Sequence, residues 1–155
     1  MEIGIILDAG FSDCSEAEWL RGIAKAVLNA ESASDSTEMG LVVTGQQKIR
    51  ELNRTYRGID RPTDVLSFPM QEDKEDDDFT SPPEGAGYLG DVIISYPQAE
   101  RQAKEHKHSI KKEMAVLIIH GILHLLGYDH IEDEEAERME ARERQILQGI
   151  EGEIE

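Results

Sequence analysis

Thirteen residues, Met114 to Leu126, form the longest apolar run in the chain, and two of its positions are His120 and His124. A bilayer-spanning helix needs about 20 apolar residues, so this run is too short and too polar to cross a membrane. It reads instead as a helix buried inside a folded domain, and the rest of the chain must wrap around it. Positions 120 and 124 differ by roughly 40° about a helix axis and lie one turn apart, so their rings share a face. Burying unpaired imidazoles in an apolar helix is costly without a compensating ligand. Gly127 follows, a residue type suited to the left-handed conformation that ends helices. A chain turning there brings His130 back toward the same point. Three neutral nitrogen donors at about 2.0–2.1 Å, with a fourth position open to water, are the pattern of a catalytic zinc site. A structural zinc would want a fourth protein ligand, usually Cys, and none lies nearby in sequence. His120, His124 and His130 are therefore the candidate metal ligands; the competing reading is three hydrogen-bonded histidines whose spacing is coincidental.

The chain has 155 residues, the size of one domain with a substantial core. Its N-terminal residues lack the basic n-region and the cleavage pattern of a signal peptide. Cys14 is its only cysteine, which rules out an intrachain disulfide and suits a reducing compartment, the cytoplasm. Among Ser12, Asp13, Ser15 and Glu16, Cys14 is a poor nucleophile because acidic neighbours disfavour a thiolate. The formal net charge is −17, which on its face opposes a nucleic-acid partner. The acids, however, are concentrated. Residues 71–80 hold six acids and one lysine, and residues 131–155 hold ten acids and three arginines. Residues 48–61 carry Lys48, Arg50, Arg54, Arg57 and Arg61 against Glu51 and Asp60, and residues 101–112 carry five cations against Glu105. A basic groove on an acidic protein fits this distribution, as do ordinary solvated helix faces.

Periodicity supplies the layout. Residues 2–8 read as a strand, and Ser15-x-x-Glu18 as a capping box opening a helix to about Ala30. Met39, Leu41 and Val43 mark a second strand, and Thr44-x-x-Gln47 caps a helix with Ile49, Leu52 and Tyr56 on its apolar face. Residues 58–64 form a turn, Val65 to Phe68 a third strand stopped by Pro69, and Tyr88 to Tyr96 a fourth. Residues 71–87 have no core-forming pattern and read as an acidic mobile loop. Pro97 opens a helix to about His106, the histidine helix starts near Ser109, and a last helix spans roughly 132–147. The predicted architecture is a single α+β domain over 1–147, with a small mixed four-stranded sheet, the metal-binding helix buried behind it, and an acidic tail over 148–155.

The spacing His-x-x-x-His-x-x-Gly-x-x-His is that of metzincin proteases. Those enzymes place a glutamate general base directly after the first histidine, where this chain has Gly121. Without it a metallopeptidase is disfavoured. Phosphodiester cleavage suits such a site better, because a metal can stabilise charge on phosphoryl oxygens. Asp64 and Asp91 read as turn or metal-supporting carboxylates, Asp129 as a cap for the last helix, and His106 and His108 as surface or phosphate-contacting residues.

Together, His120-Gly-x-Leu-His124-Leu-x-Gly127-Tyr-Asp-His130, the segment from Leu52 through Tyr56-Arg57-Gly58 and Pro62-Thr63-Asp64-Val65-Leu66-Ser67-Phe68-Pro69, and Tyr88-Leu-Gly90-Asp91 resemble the YbeY family of bacterial endoribonucleases and rRNA maturation factors. The match covers about residues 41–131; the acidic loop and Glu-rich tail look particular to this chain. The resemblance implies a zinc ion held by the three histidines and, by position within Tyr56-Arg57-Gly58, a functional arginine at Arg57. A guanidinium fork beside the metal can bind a phosphate; the other reading of Arg57 is an arginine that orders its own loop. It further implies cleavage of single-stranded RNA in 16S rRNA 3′-end maturation and ribosome quality control. RNA rather than DNA is then the substrate, with the small ribosomal subunit and a ribosome-associated GTPase as partners. A metzincin-like peptidase and a non-catalytic ribosome assembly factor with a structural metal remain as alternatives.

Overall fold

The structure is a computed structural model and describes residues 1–13, 15–70, 87–129 and 131–154. Cys14, residues 71–86 of the expected acidic loop, and His130 lie outside the described residues. The elements run β1 (Glu2–Leu7), α1 (Ala17–Ala30), β2 (Thr37–Thr44), α2 (Gln46–Arg57), β3 (Val65–Pro69), β4 (Gly87–Ser95), α3 (Tyr96–His106), α4 (Ile110–Leu125) and α5 (Asp133–Ile154). This is the predicted mixed α+β fold with a four-stranded sheet. The strand order is β1-β2-β4-β3, with β1, β2 and β4 parallel and β3 antiparallel to β4.

Alternation along the strands gives the sheet two apolar faces. Met39, Leu41 and Val43 of β2 and Val92 and Ile94 of β4 share the main core with Leu20, Ile23, Val27 and Leu28 of α1 and the apolar residues of α4. The opposite residues, Val42, Ile93, Leu66 and Phe68, meet Ile49 and Leu52 of α2 in a second, smaller cluster. The sheet therefore carries α4 on one face and α2 on the other. Because α4 sits between the sheet and its neighbours α1 and α5, it is buried almost all round, as its continuous apolar sequence requires.

Three local expectations change. Neither proposed capping box forms. Thr44 Oγ1 donates to Asp8 Oδ2 at 2.6 Å, so extended Gly45 becomes the N-cap of α2 with no side-chain cap. The N-cap of α1 is Glu16, also without a side-chain cap, while Glu18 accepts from Arg21. A stronger tertiary or charged partner has taken each side chain. The last helix, expected to end near 147, continues to Ile154, so residues 148–154 are helix rather than tail. Ile150 and Ile154 extend the stripe begun by Met139 and Ile146 into the core, and Trp19 Nε1 donates to the Glu153 carbonyl at 2.8 Å. Burying two isoleucines, each contributing about 1.5–3 kcal/mol, outweighs Gly149 and Gly152, each about 1 kcal/mol unfavourable in a helix.

Candidate metal centre

α4 begins at Ser109, whose hydroxyl accepts from the Lys112 N–H at 3.1 Å. From Leu117 to Leu125 every residue is buried except His120 and His124. The two histidines are thus the part of this C-terminal half of the helix that meets the surface. Their ring centroids lie 4.7 Å apart at an interplanar angle of 75°. His120 Nδ1 contacts Glu143 Oε2 of α5 at 2.5 Å, and His124 Nδ1 contacts the Tyr128 carbonyl at 3.1 Å. A carbonyl and a carboxylate are both acceptors, so each Nδ1 donates, which leaves Nε2 as the nitrogen that a metal would take from the neutral ring. That tautomer, with the outer nitrogen bonded to a carboxylate or carbonyl, is the one metal-ligating histidines adopt. The donor set and its tautomers fit a metal.

Beyond Leu125 the helix closes as expected. Gly127 has φ +105°, and the Tyr128 N–H returns to the Leu123 carbonyl at 3.0 Å. This turn also delivers the Tyr128 carbonyl to His124. The third expected ligand, His130, lies just past it, outside the described residues.

Gly121 faces the sheet. A Cβ placed on it would meet Val92 Cγ1 at 2.6 Å and Ser67 Oγ at 3.4 Å, and Ser67 Oγ donates to the Gly121 carbonyl at 2.9 Å. The residue after the first histidine is therefore pressed between α4 and strands β3 and β4. Even a methyl group would force Val92 or the helix to shift, so the glutamate of a metzincin has no room.

Arg57 is the exposed last residue of α2, followed by Gly58 in the left-handed conformation at φ +73°. Its neighbour Tyr56 packs edge-on against Phe68 of β3, centroids 5.3 Å apart. Phe68 and Pro69 pair with Asp91 and Gly90, and Gly90 lies against Leu125. The C-terminal ends of α2 and α4 thus reach the same end of the β3–β4 pair from opposite faces. Buried Asn53 holds the loop that follows Arg57, its Nδ2 donating to the Arg61 carbonyl at 2.9 Å. Arg50 donates to Asp60 at 2.8 Å, and this guanidinium holds the Asp60 carboxyl below its usual range. One cation of the basic segment is therefore already paired.

The remaining candidates divide. Asp64 is a turn carboxylate, accepting from the Val65 N–H at 2.8 Å. Asp91 accepts from the Tyr88 hydroxyl. Burial first, then the Asp91 bond, push the Tyr88 phenol up to about 12. His106 and His108 do not behave as simple surface residues. Both bind Oε1 of Glu113, at 3.1 and 2.6 Å, and Gln102 donates to the other oxygen at 2.9 Å. Glu113 is buried, with 1% exposure, and these three partners satisfy it. His106, His108 and Glu113 also form a group whose donor atoms could hold a metal ion. In a tetrahedral site with ligands at 2.0–2.1 Å, donors stand about 3.3 Å apart. The His108–Glu113 pair at 2.6 Å is a hydrogen bond and would have to open to admit an ion.

The sequence reading missed Glu143 and Glu113. A signal for Glu143 existed: it falls on the stripe Met139–Ile146–Ile150 that α5 buries, and an acid on a buried stripe needs a partner. Glu113 likewise begins the apolar face of α4.

The mixed four-stranded sheet with helices on both faces makes this a small α+β domain, and it carries side-chain groups that could hold a metal ion. The family model described as endoribonuclease YbeY matches residues 10–151. A protein named endoribonuclease YbeY from Dehalococcoides mccartyi strain CBDB1 is 53% identical over 137 residues, 85% of this chain and 82% of that protein. Another of the same name from Moorella thermoacetica is 47% identical over 131 residues, 84% of each. The solution structure of a Thermotoga maritima protein superposes with a TM-score of 0.64 at 29% identity, covering 97% of this chain and 90% of that one. The chain belongs to the endoribonuclease YbeY family.

Proposed function

We propose that the chain is a zinc-dependent, single-strand-specific endoribonuclease that matures the 3′ end of 16S rRNA and serves ribosome quality control. Family membership carries the coarser statement, that it is a metal-dependent hydrolase acting on RNA in rRNA processing. The observation that supports the metal dependence is the His120–His124 pair, oriented by Glu143 and Tyr128 in the otherwise buried stretch Leu117 to Leu125. In this reading His120, His124 and His130 hold the zinc, which when bound supplies Lewis-acid stabilisation of charge on a phosphoryl oxygen. Arg57 binds the scissile phosphate through its guanidinium fork and offsets charge that develops there. The basic segments 48–61 and 101–112 draw the RNA backbone to the site. With net charge −17, affinity for naked RNA is weak, and the small ribosomal subunit or a ribosome-associated GTPase adds binding energy. Among the described residues no helix is long and apolar enough to cross a membrane.

The peptidase alternative is opposed by the packing around Gly121. The test is cleavage of single-stranded RNA and of casein with and without chelator, with circular dichroism on each sample. RNA cleavage that chelation abolishes while the fold persists supports the proposal. Casein cleavage favours the peptidase, and unfolding on chelation favours the assembly factor. Zinc binding lost in His124→Ala and kept in His108→Ala assigns the ion to the His120–His124 pair; the reverse assigns it to the His106–His108–Glu113 group.

A further inference from the structure

We infer that helix α5 sets the geometry and strength of the metal centre through two adjacent residues, Glu143 acting on His120 and Arg142 acting on His124. The inference rests on His120 and His124 as ligands and adds the residues that position them. Glu143 is the direct half. Its carboxylate meets His120 Nδ1 at 2.5 Å from a helix remote in sequence, and both side chains are only partly exposed, 24% and 33%. A carboxylate on Nδ1–H fixes the ring rotation and makes Nε2 a stronger donor.

Arg142 is the indirect half. Its Nε donates to Glu31 at the end of α1, and its Nη2 donates to the Ala30 carbonyl at 2.7 Å. The other oxygen of Glu31 accepts from the Tyr128 hydroxyl at 2.9 Å, and the Tyr128 carbonyl bonds His124 Nδ1. Arg142 thus clamps Glu31, Glu31 holds the Tyr128 side chain, and the Tyr128 backbone orients the second ligand. The stripe Met139, Ile146, Ile150 and Ile154 anchors α5 in the core, so both contacts depend on one docked helix. Glu143 and Arg142 are positioning residues, since each acts on the metal through another group.

The test measures metal binding without RNA. Cobalt(II) is titrated into the full chain against a competing chromophoric chelator, and its visible absorption bands are recorded. Glu143→Ala is expected to weaken cobalt affinity about 10–100-fold, the usual loss for such a partner, and to shift the bands as His120 rotates. Glu143→Gln, which keeps an acceptor but loses the charge, falls between that and wild type. Arg142→Ala weakens binding by a smaller factor, because the Glu31–Tyr128 bond survives. Glu140→Ala removes the same charge from an exposed position one turn away and leaves affinity and spectrum unchanged. Equal affinity and spectrum for Glu143→Ala and Glu140→Ala overturns the inference. If Glu143→Ala does not fold, wild-type affinity in Glu143→Gln overturns it instead. Cobalt binding untouched by His124→Ala overturns the site assignment itself, a different outcome from wild-type binding that depends on His124 but not on Glu143.

Discussion

Placing a side chain at Gly121 tests both the packing of α4 and the exclusion of peptidase chemistry. A Cβ at this position would lie 2.6 Å from Val92 Cγ1 and 3.1 Å from Cγ2. Carbon atoms in contact prefer about 3.5–4.0 Å, so one partner must move by about 1 Å. Val92 has little freedom. It is fully buried, β-branched with few rotamers, and its strand is paired on both sides. Overpacking of this kind costs about 1–3 kcal/mol, while replacing glycine by alanine inside a helix returns about 1 kcal/mol. Gly121→Ala should therefore lose about 0–2 kcal/mol, which for a domain of this size lowers Tm by at most about 8 °C. Gly121→Glu recreates the His-Glu-x-x-His sequence but adds a carboxylate to the helix–sheet interface. An unpaired buried charge costs several kcal/mol more, comparable with a total stability of about 5–15 kcal/mol. That variant should lose its near-ultraviolet circular dichroism and cleave no peptide. Urea denaturation monitored by tryptophan fluorescence reads both variants. A gain of about 1 kcal/mol for Gly121→Ala, the full propensity difference with no clash, would refute the reasoning. So would a Gly121→Glu protein with a wild-type unfolding midpoint.

Arg57→Ala should cut RNA cleavage by about 10²–10³ and leave Tm unchanged, because the side chain is exposed; lost stability with cleavage per folded molecule intact would make Arg57 a loop-ordering residue. Ile150→Ala should cost about 2 kcal/mol, the low end for a buried isoleucine, whereas an acidic tail would show no more than about 0.5 kcal/mol in chemical denaturation. Tyr88 keeps its proton in the folded chain up to about 12 against 10.0 when unfolded. Its contribution is therefore complete below pH 10 and falls as pH rises from 10 to 12. Tyr88→Phe should flatten that alkaline loss in pH-dependent melts, and an unchanged profile would count against the shift. RNA binding should weaken with salt at a log–log slope of about −0.7 per phosphate contact, and deleting residues 71–80, with six acids and one lysine, should raise affinity. Binding indifferent to salt, or weakened by the deletion, would place the acidic segment on the recognition surface.

The order of elements, the pairing of His120 with His124 on one face, and the helix stop at Gly127 were legible in the chain, because each depends on periodicities of two or 3.6 residues and on local backbone freedom. The strand order, with β4 between β2 and β3, was not, since any of several pairings satisfies the same alternation. The capping boxes misled for a related reason: Thr44 had a partner in Asp8, 36 positions away, that no local pattern reveals. Residues 148–154 looked polar and glycine-containing, and only the presence of a core beside Ile150 and Ile154 makes them helical. The centre divides the same way. From sequence alone, helix geometry puts His120 and His124 on one face of α4, because residues four apart lie one turn apart. Tertiary structure decided which way those rings point, because Glu143 and the Tyr128 carbonyl reach them only when α5 and the Gly127 turn have packed. Hydrogen bonds across such distances follow from how helices dock, and docking depends on the summed shape of surfaces that no short stretch of sequence contains.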